Sequence, residues 1–123
     1  MKLEEIGFYT LSNDRALYSS ATSDLQRCEL VLTDRCNFKC VYCRGLRSDL
    51  QGDMPLSEAH RILDLWISQG LKNVRFSGGE PTLYKGLLEL VEKCKAAGVE
   101  HIAVSSNGSA DWAVYNQLLN AGV

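Results

Sequence analysis

The hydrophobic positions along the chain change rhythm part way through, and each rhythm predicts a different element. Residues 6–20 alternate: Ile6, Phe8 and Thr10 fall on one side of a turn at Ser12-Asn13-Asp14-Arg15, and Ala16, Leu17 and Tyr18 return from it. That pattern predicts a small β-hairpin. Residues 19–27 are polar and read as a connector. From Cys28 to Thr33 the run around Leu30-Val31-Leu32 predicts a core strand. Periodicity is lost over residues 44–56, which predicts a long loop of the kind that is usually functional or mobile. Beyond residue 56 the period becomes helical. Ser57 is placed to cap a helix carrying Ala59, Ile62, Leu63, Trp66 and Ile67 on one face and ending at Gly70. A second helix is predicted from about Tyr84, with Leu87, Leu88, Val91 and Cys94 on one face and a stop at Gly98. A third carries Trp112, Tyr115, Leu118 and Leu119 and stops at Gly122.

The segments that follow these helices repeat. Gly70-Leu71-Lys72-Asn73-Val74-Arg75-Phe76-Ser77-Gly78-Gly79-Glu80 aligns without gaps on Gly98-Val99-Glu100-His101-Ile102-Ala103-Val104-Ser105-Ser106-Asn107-Gly108. Gly122-Val123 has the look of a further copy beginning. Strands alternating with amphipathic helices predict right-handed βαβ units and a parallel sheet. The expected fold is therefore α/β, a parallel (βα)n partial barrel of the TIM type. About three βα units are present in residues 28–123, preceded by the N-terminal hairpin and connector of residues 1–27. Parity places Glu29, Thr33 and Arg75, with Ser77 and Ser105, on the face turned to the barrel interior. In such folds the active groups collect at the C-terminal ends of the strands. Three loops are expected at that edge: the one after Thr33, Gly78-Gly79-Glu80-Pro81, and Ser105-Ser106-Asn107-Gly108.

Composition narrows the class. A hydrophobic share of 46% and a charged share of 23% over 123 residues suit one ordinary globular domain. A formal net charge of −2, without a Lys/Arg run, argues against a nucleic-acid surface held by bulk charge. No apolar stretch reaches membrane-spanning length. Met1-Lys2-Leu3-Glu4-Glu5 has no apolar signal core. Five cysteines in a chain of that kind are expected to be reduced thiols or metal ligands, in a cytoplasmic setting.

Three of those cysteines lie together. Cys36, Cys40 and Cys43 follow a strand at C-x3-C-x2-C spacing. Three thiolates there can face one inorganic centre and leave one site of a four-iron cluster open. A structural zinc site is the plainer rival, but it normally has four ligands, and neither His60 nor His101 stands at a useful spacing. A redox dithiol at Cys40 and Cys43 would leave Cys36 idle. Cys94, on an apolar stripe, reads as a small buried thiol, and Cys28 as a strand-start thiol. Glu80 beside Pro81 also reads as a helix-start acid.

Taken together, Cys36, Cys40 and Cys43 with Tyr42 before the last cysteine, Gly78-Gly79-Glu80-Pro81, and the Ser-Asn-Gly loop resemble the radical S-adenosylmethionine (SAM) superfamily. Leu32-Thr33-Asp34-Arg35-Cys36-Asn37-Phe38-Lys39-Cys40-Val41-Tyr42-Cys43 is most similar to the branch holding the molybdenum-cofactor GTP cyclase and peptide-modifying enzymes. The resemblance covers residues from about 29 to 123. It implies that the three cysteines, as catalytic metal ligands, hold a 4Fe-4S cluster whose fourth iron takes the methionine end of SAM. It implies SAM contacts at Tyr42, Gly78, Gly79, Glu80, Ser105 and Asn107. Reductive cleavage of SAM to a 5′-deoxyadenosyl radical that takes hydrogen from an unidentified substrate follows, with an electron donor such as flavodoxin or ferredoxin. The alternative is a non-catalytic zinc or iron–sulfur module. Relatives usually have six βα units, so about half of such a core is expected here, with an uncovered face that favours self-association.

Overall fold

The computed structural model describes residue 22, residues 26–43 and residues 52–123. The expected hairpin of residues 6–20 and most of the aperiodic stretch after Cys43 lie outside the described residues. Among the described residues, three strands and three helices alternate. β1 is Arg27–Thr33, α1 Leu56–Ser68, β2 Asn73–Gly78, α2 Leu87–Ala96, β3 His101–Val104 and α3 Trp112–Ala121. A short 3-10 turn, Pro81–Leu83, stands between β2 and α2. The strands lie in the order β1-β2-β3 and both pairings are parallel. This is the open, partial α/β barrel that the alternation predicts.

One side of the sheet is the core. Leu30 and Leu32 of β1, Val74 and Phe76 of β2 and Ile102 of β3 are buried. Against them pack Ala59 and Leu63 of α1, Leu87, Leu90, Val91 and Cys94 of α2, and Leu118 of α3. Burying apolar surface at about 25 cal/mol per Å² is what holds so few strands together. The other face is mixed in character and largely exposed among the described residues: Glu29, Arg75 and Ala103 lie side by side in register, with Val31 beside them. Parity placed Glu29 and Arg75 there. Thr33 behaves differently, because the β1–β2 register shifts between Val31 and Thr33 and the Thr33 side chain is covered.

The repeat has a geometric basis. Each helix ends in a Schellman motif on its glycine. Leu71 N–H bonds Trp66 O and Gly70 N–H bonds Ile67 O; Val99 with Cys94 and Gly98 with Lys95 repeat this, as do Val123 with Leu118 and Gly122 with Leu119. Gly70, Gly98 and Gly122 have φ of 88°, 82° and 122°, a region closed to most residues with a Cβ. The strand entries repeat too. Lys72 and Asn73 N–H both reach Gln26 O, and Glu100 and His101 N–H both reach Lys72 O.

Two helix starts differ from expectation. α1 begins at Leu56, with Pro55 in the cap position and its carbonyl accepting from Glu58 and Ala59 N–H, so Ser57 lies inside the first turn. α2 begins at Leu87 and not near Tyr84, because the Pro81 turn comes first. Tyr84 then leaves it in an extended conformation, buried, with its hydroxyl donating to Met54 O at 2.9 Å. No helix among the described residues is long and apolar enough to cross a membrane.

Candidate functional site

The three expected loops meet at the C-terminal edge of the sheet, and the backbone itself joins the first two. Past the end of β1, Gly79 N–H bonds Thr33 O at 2.7 Å and Glu80 N–H bonds Arg35 O at 2.8 Å. That approach leaves no room for side chains. A Cβ on Gly78 would strike the Thr33 carbonyl oxygen; one on Gly79 would strike Arg35 O and come within 2.6 Å of the Arg35 carbonyl carbon. Both glycines are therefore required by the packing of loop on loop, whatever else approaches them.

Arg35 secures the same junction from the side. Its guanidinium donates twice to Asp53 (Nε to Oδ1 and Nη2 to Oδ2, both 2.8 Å) and once to Leu83 O at 2.9 Å. Asp53 also accepts from Thr33 Oγ1 at 2.6 Å. Arg35 holds the Asp53 carboxyl below its usual value, with Thr33 adding to the effect, and Asp53 in turn raises Arg35. Asp34 N–H to Gly52 O and Met54 N–H to Leu32 O complete the tether of the returning chain to β1. Nothing in the sequence pointed to this latch, since no period relates Thr33 and Arg35 to an aspartate twenty and eighteen residues beyond them in an aperiodic stretch.

Glu80 joins the second loop to the third. Its side chain is fully buried, and both oxygens are engaged. Oε1 accepts from Thr82 N at 3.0 Å, Thr82 Oγ1 at 2.7 Å and Ser106 Oγ at 2.9 Å; Oε2 accepts from Asn107 N at 2.6 Å. Burial pushes this carboxyl upward, but the Asn107 N–H, the Thr82 donors and the Ser106 hydroxyl outweigh it and leave it below the usual value. Glu80 does cap the turn begun by Pro81, as its position beside a proline predicts. Its bridge to Ser106 and Asn107 was not legible. The Ser106 hydroxyl also lies 3.0 Å from Tyr115 Oη, which carries the contact onto α3.

The cysteines occupy the outer surface of this junction. Cys36 and Cys43 are exposed and Cys40 partly so, and all three are free thiols. Cys36 Sγ accepts from Phe38 N at 3.4 Å and from Asn107 Nδ2 at 3.7 Å. Asn107 Nδ2 also reaches Asn37 Oδ1 at 3.0 Å, and Asn37 Nδ2 reaches Ser109 Oγ at 2.8 Å. The cysteine loop is thereby bound to the third loop across seventy residues of sequence. Cys43 N–H closes a turn on Cys40 O at 3.0 Å. Tyr42 is 84% exposed, and a hydrogen bond with Cys40 raises its hydroxyl. Ser105 is exposed at the end of β3, its N–H bonded to Phe76 O.

The other candidates fall away from this edge. Cys94 is buried in the core, and burial, opposed by the Lys93 charge, pushes its thiol up to about 11. Burial also raises Cys28. His60 Nε2 lies 2.7 Å from Glu89 on the helical surface, and His101 stands exposed at the start of β3.

Among the described residues, no group of three or more His, Cys, Asp or Glu side chains is gathered closely enough to hold a metal ion. The donor set nevertheless fits an iron–sulfur cluster in kind. It consists of three free thiols on one loop at the sheet edge, with two N–H donors already on one sulfur.

A family model described as the Radical SAM superfamily matches residues 30–123. Similar proteins include a GTP 3′,8-cyclase of Pseudomonas putida (strain GB-1), 31% identical over 117 residues, covering 90% of this chain and 34% of that protein. A GTP 3′,8-cyclase of Mannheimia succiniciproducens is 40% identical over 84 residues, 64% of this chain and 25% of that one. One of Heliobacterium modesticaldum is 36% identical over 90 residues, 69% of this chain and 28% of that one. The chain thus spans between a quarter and about a third of the length of the curated relatives it matches.

Proposed function

This chain belongs to the radical SAM superfamily, and from that membership we propose that residues 28–123 form the N-terminal part of an enzyme core that cleaves SAM reductively. Members of the family use a 4Fe-4S cluster and SAM. In this reading Cys36, Cys40 and Cys43 would hold the cluster through their thiolates, leaving it open to SAM. When bound, the cluster would supply the electron for reductive cleavage of SAM and so the means of taking hydrogen from a substrate.

The chain's own residues position and shield. Gly78 and Gly79 form a side-chain-free stretch whose carbonyls would be available to the SAM ammonium group. Glu80, with both oxygens engaged internally, ties that stretch to Ser106 and Asn107 of the third loop. Tyr42, exposed beside Cys43, is available to the adenine, and exposed Ser105 to the carboxylate or ribose. An external one-electron donor of the flavodoxin or ferredoxin kind, in a reducing cytoplasm, supplies the cluster. GTP, named for the similar cyclases, is the first substrate to try.

One observation carries the reading: the cysteine loop, Gly78-Gly79-Glu80 and Ser106-Asn107 are tied to one another at a single sheet edge, down to a contact between Asn107 and Cys36. The test is anaerobic reconstitution with iron and sulfide, followed by reduction in the presence of SAM. The expected result is a four-iron EPR signal and release of 5′-deoxyadenosine, both abolished by Cys40→Ala. Tight zinc binding with no SAM cleavage would overturn the proposal in favour of a non-catalytic metal module.

A further inference from the structure

Asn107 has its backbone N–H and all its side-chain polar atoms committed within the chain. The N–H is held by the buried Glu80 carboxylate at 2.6 Å. Oδ1 accepts from Ser109 N at 3.0 Å. Since a backbone N–H can only donate, this bond settles which way the amide points, and the NH2 group must face the cysteine loop. There Nδ2 meets Asn37 Oδ1 at 3.0 Å and Cys36 Sγ at 3.7 Å. The Cys36 sulfur thus receives two N–H groups. One comes from its own loop, through Phe38 N, and the other from a residue seventy-one positions away.

We propose that Asn107 is a positioning residue for Cys36: its side-chain amide donates to the first cysteine sulfur and fixes that sulfur against the third loop. The proposal rests on the cluster reading above and deepens it. Glu80 acts at one remove, because the carboxylate that holds Asn107 N–H also holds Ser106 and Thr82. The position of the sulfur is thereby set by a buried anion on the adjacent loop and not by the exposed cysteine loop alone. An N–H donated to a cysteine sulfur draws electron density from the centre that the sulfur holds and favours its reduced form. Losing that donor should shift the cluster to more negative potential.

The experiment compares wild type, Asn107→Ala, Asn107→Asp and Ser109→Ala, each reconstituted anaerobically without SAM. Iron content, circular dichroism and EPR-monitored redox titration are read for each. Ala removes the donor and Asp replaces it with a carboxylate oxygen, so the potential should fall in the order wild type, Ala, Asp. Ser109→Ala keeps the backbone N–H that orients the Asn107 amide but removes the hydroxyl bonded to Asn37, so its potential should fall by less than that of Asn107→Ala. An Asn107 variant that folds by circular dichroism but takes up less iron also supports the assignment. A cluster that assembles in wild type and shows the same potential and iron content in both Asn107 variants overturns it and leaves the cluster reading standing. No cluster in wild type overturns the cluster reading itself.

Discussion

Replacing Glu80 with glutamine keeps the shape of the side chain and changes one atom, which makes Glu80→Gln the sharpest probe of the loop junction. The carboxylate accepts four hydrogen bonds, three on one oxygen and one on the other. An amide cannot reproduce that set. If its oxygen takes the Oε1 position, its NH2 faces Asn107 N–H; if it flips, the NH2 faces Thr82 N–H. Either way two donors meet in a site shut off from water. A charge-assisted bond is worth about 1.5–3 kcal/mol and a stranded donor costs about 1–3 kcal/mol, so a loss of about 2.5–6 kcal/mol is expected. With a urea slope of about 1.5 kcal/mol per molar, the midpoint should fall by roughly 2 to 4 M. The assay is equilibrium urea unfolding followed by circular dichroism, at several pH values. The folded-state carboxyl lies below its ordinary value of 4.5, so the charge contributes stability that is complete above that value and lost as pH falls through the depressed one. The gap between wild type and Glu80→Gln should therefore be widest near neutrality and shrink in acid. A gap below about 0.5 kcal/mol at neutral pH, or one that does not change down to about pH 3, would refute the reasoning.

Two further outcomes follow from the packing. Gly79→Ala places a methyl group against the Arg35 carbonyl, a backbone atom that cannot swing aside, and should cost several-fold more stability than Gly98→Ala. At Gly98 a Cβ meets open space and only the positive φ is strained, so about 1 kcal/mol is expected there; urea midpoints for the two variants compare them. Thiol labelling of the folded apoprotein at about pH 8, mapped by mass spectrometry, should modify the exposed Cys36 and Cys43 while sparing Cys94, which is buried and whose thiol lies near 11. Modification of Cys94 at a rate matching Cys36 would contradict its place in the core.

The parts of this protein visible in the sequence are those governed by short-range periodicity. The twenty-eight-residue offset between Gly70 and Gly98 appears as a repeat because each Schellman end and each strand entry is made by neighbours a few residues apart. The sites of α1 and α2 were readable for the same reason. Their exact starts were not, because a proline at 55 and another at 81 take over the local turn geometry from Ser57 and Tyr84. The three cysteines were legible as a set because all three lie in one eight-residue segment.

What joins the segments was decided only in three dimensions. By itself the sequence determined the alternation of strands and helices, the apolar face of each and the edge at which Cys36, Gly78 and Ser105 would emerge, because these depend on residue type and local period. Only the tertiary structure decided that Gly79 lies against Arg35, that Arg35 pairs with Asp53, and that Glu80 reaches across to Asn107 and through it to Cys36. Those contacts link residues from eighteen to seventy-one positions apart, and no periodicity reaches that far. The physical reason lies in the parallel sheet. It brings the ends of successive strands about 5 Å apart whatever separates them in sequence, and buried polar groups placed there must find partners on the neighbouring loop or pay the full cost of desolvation.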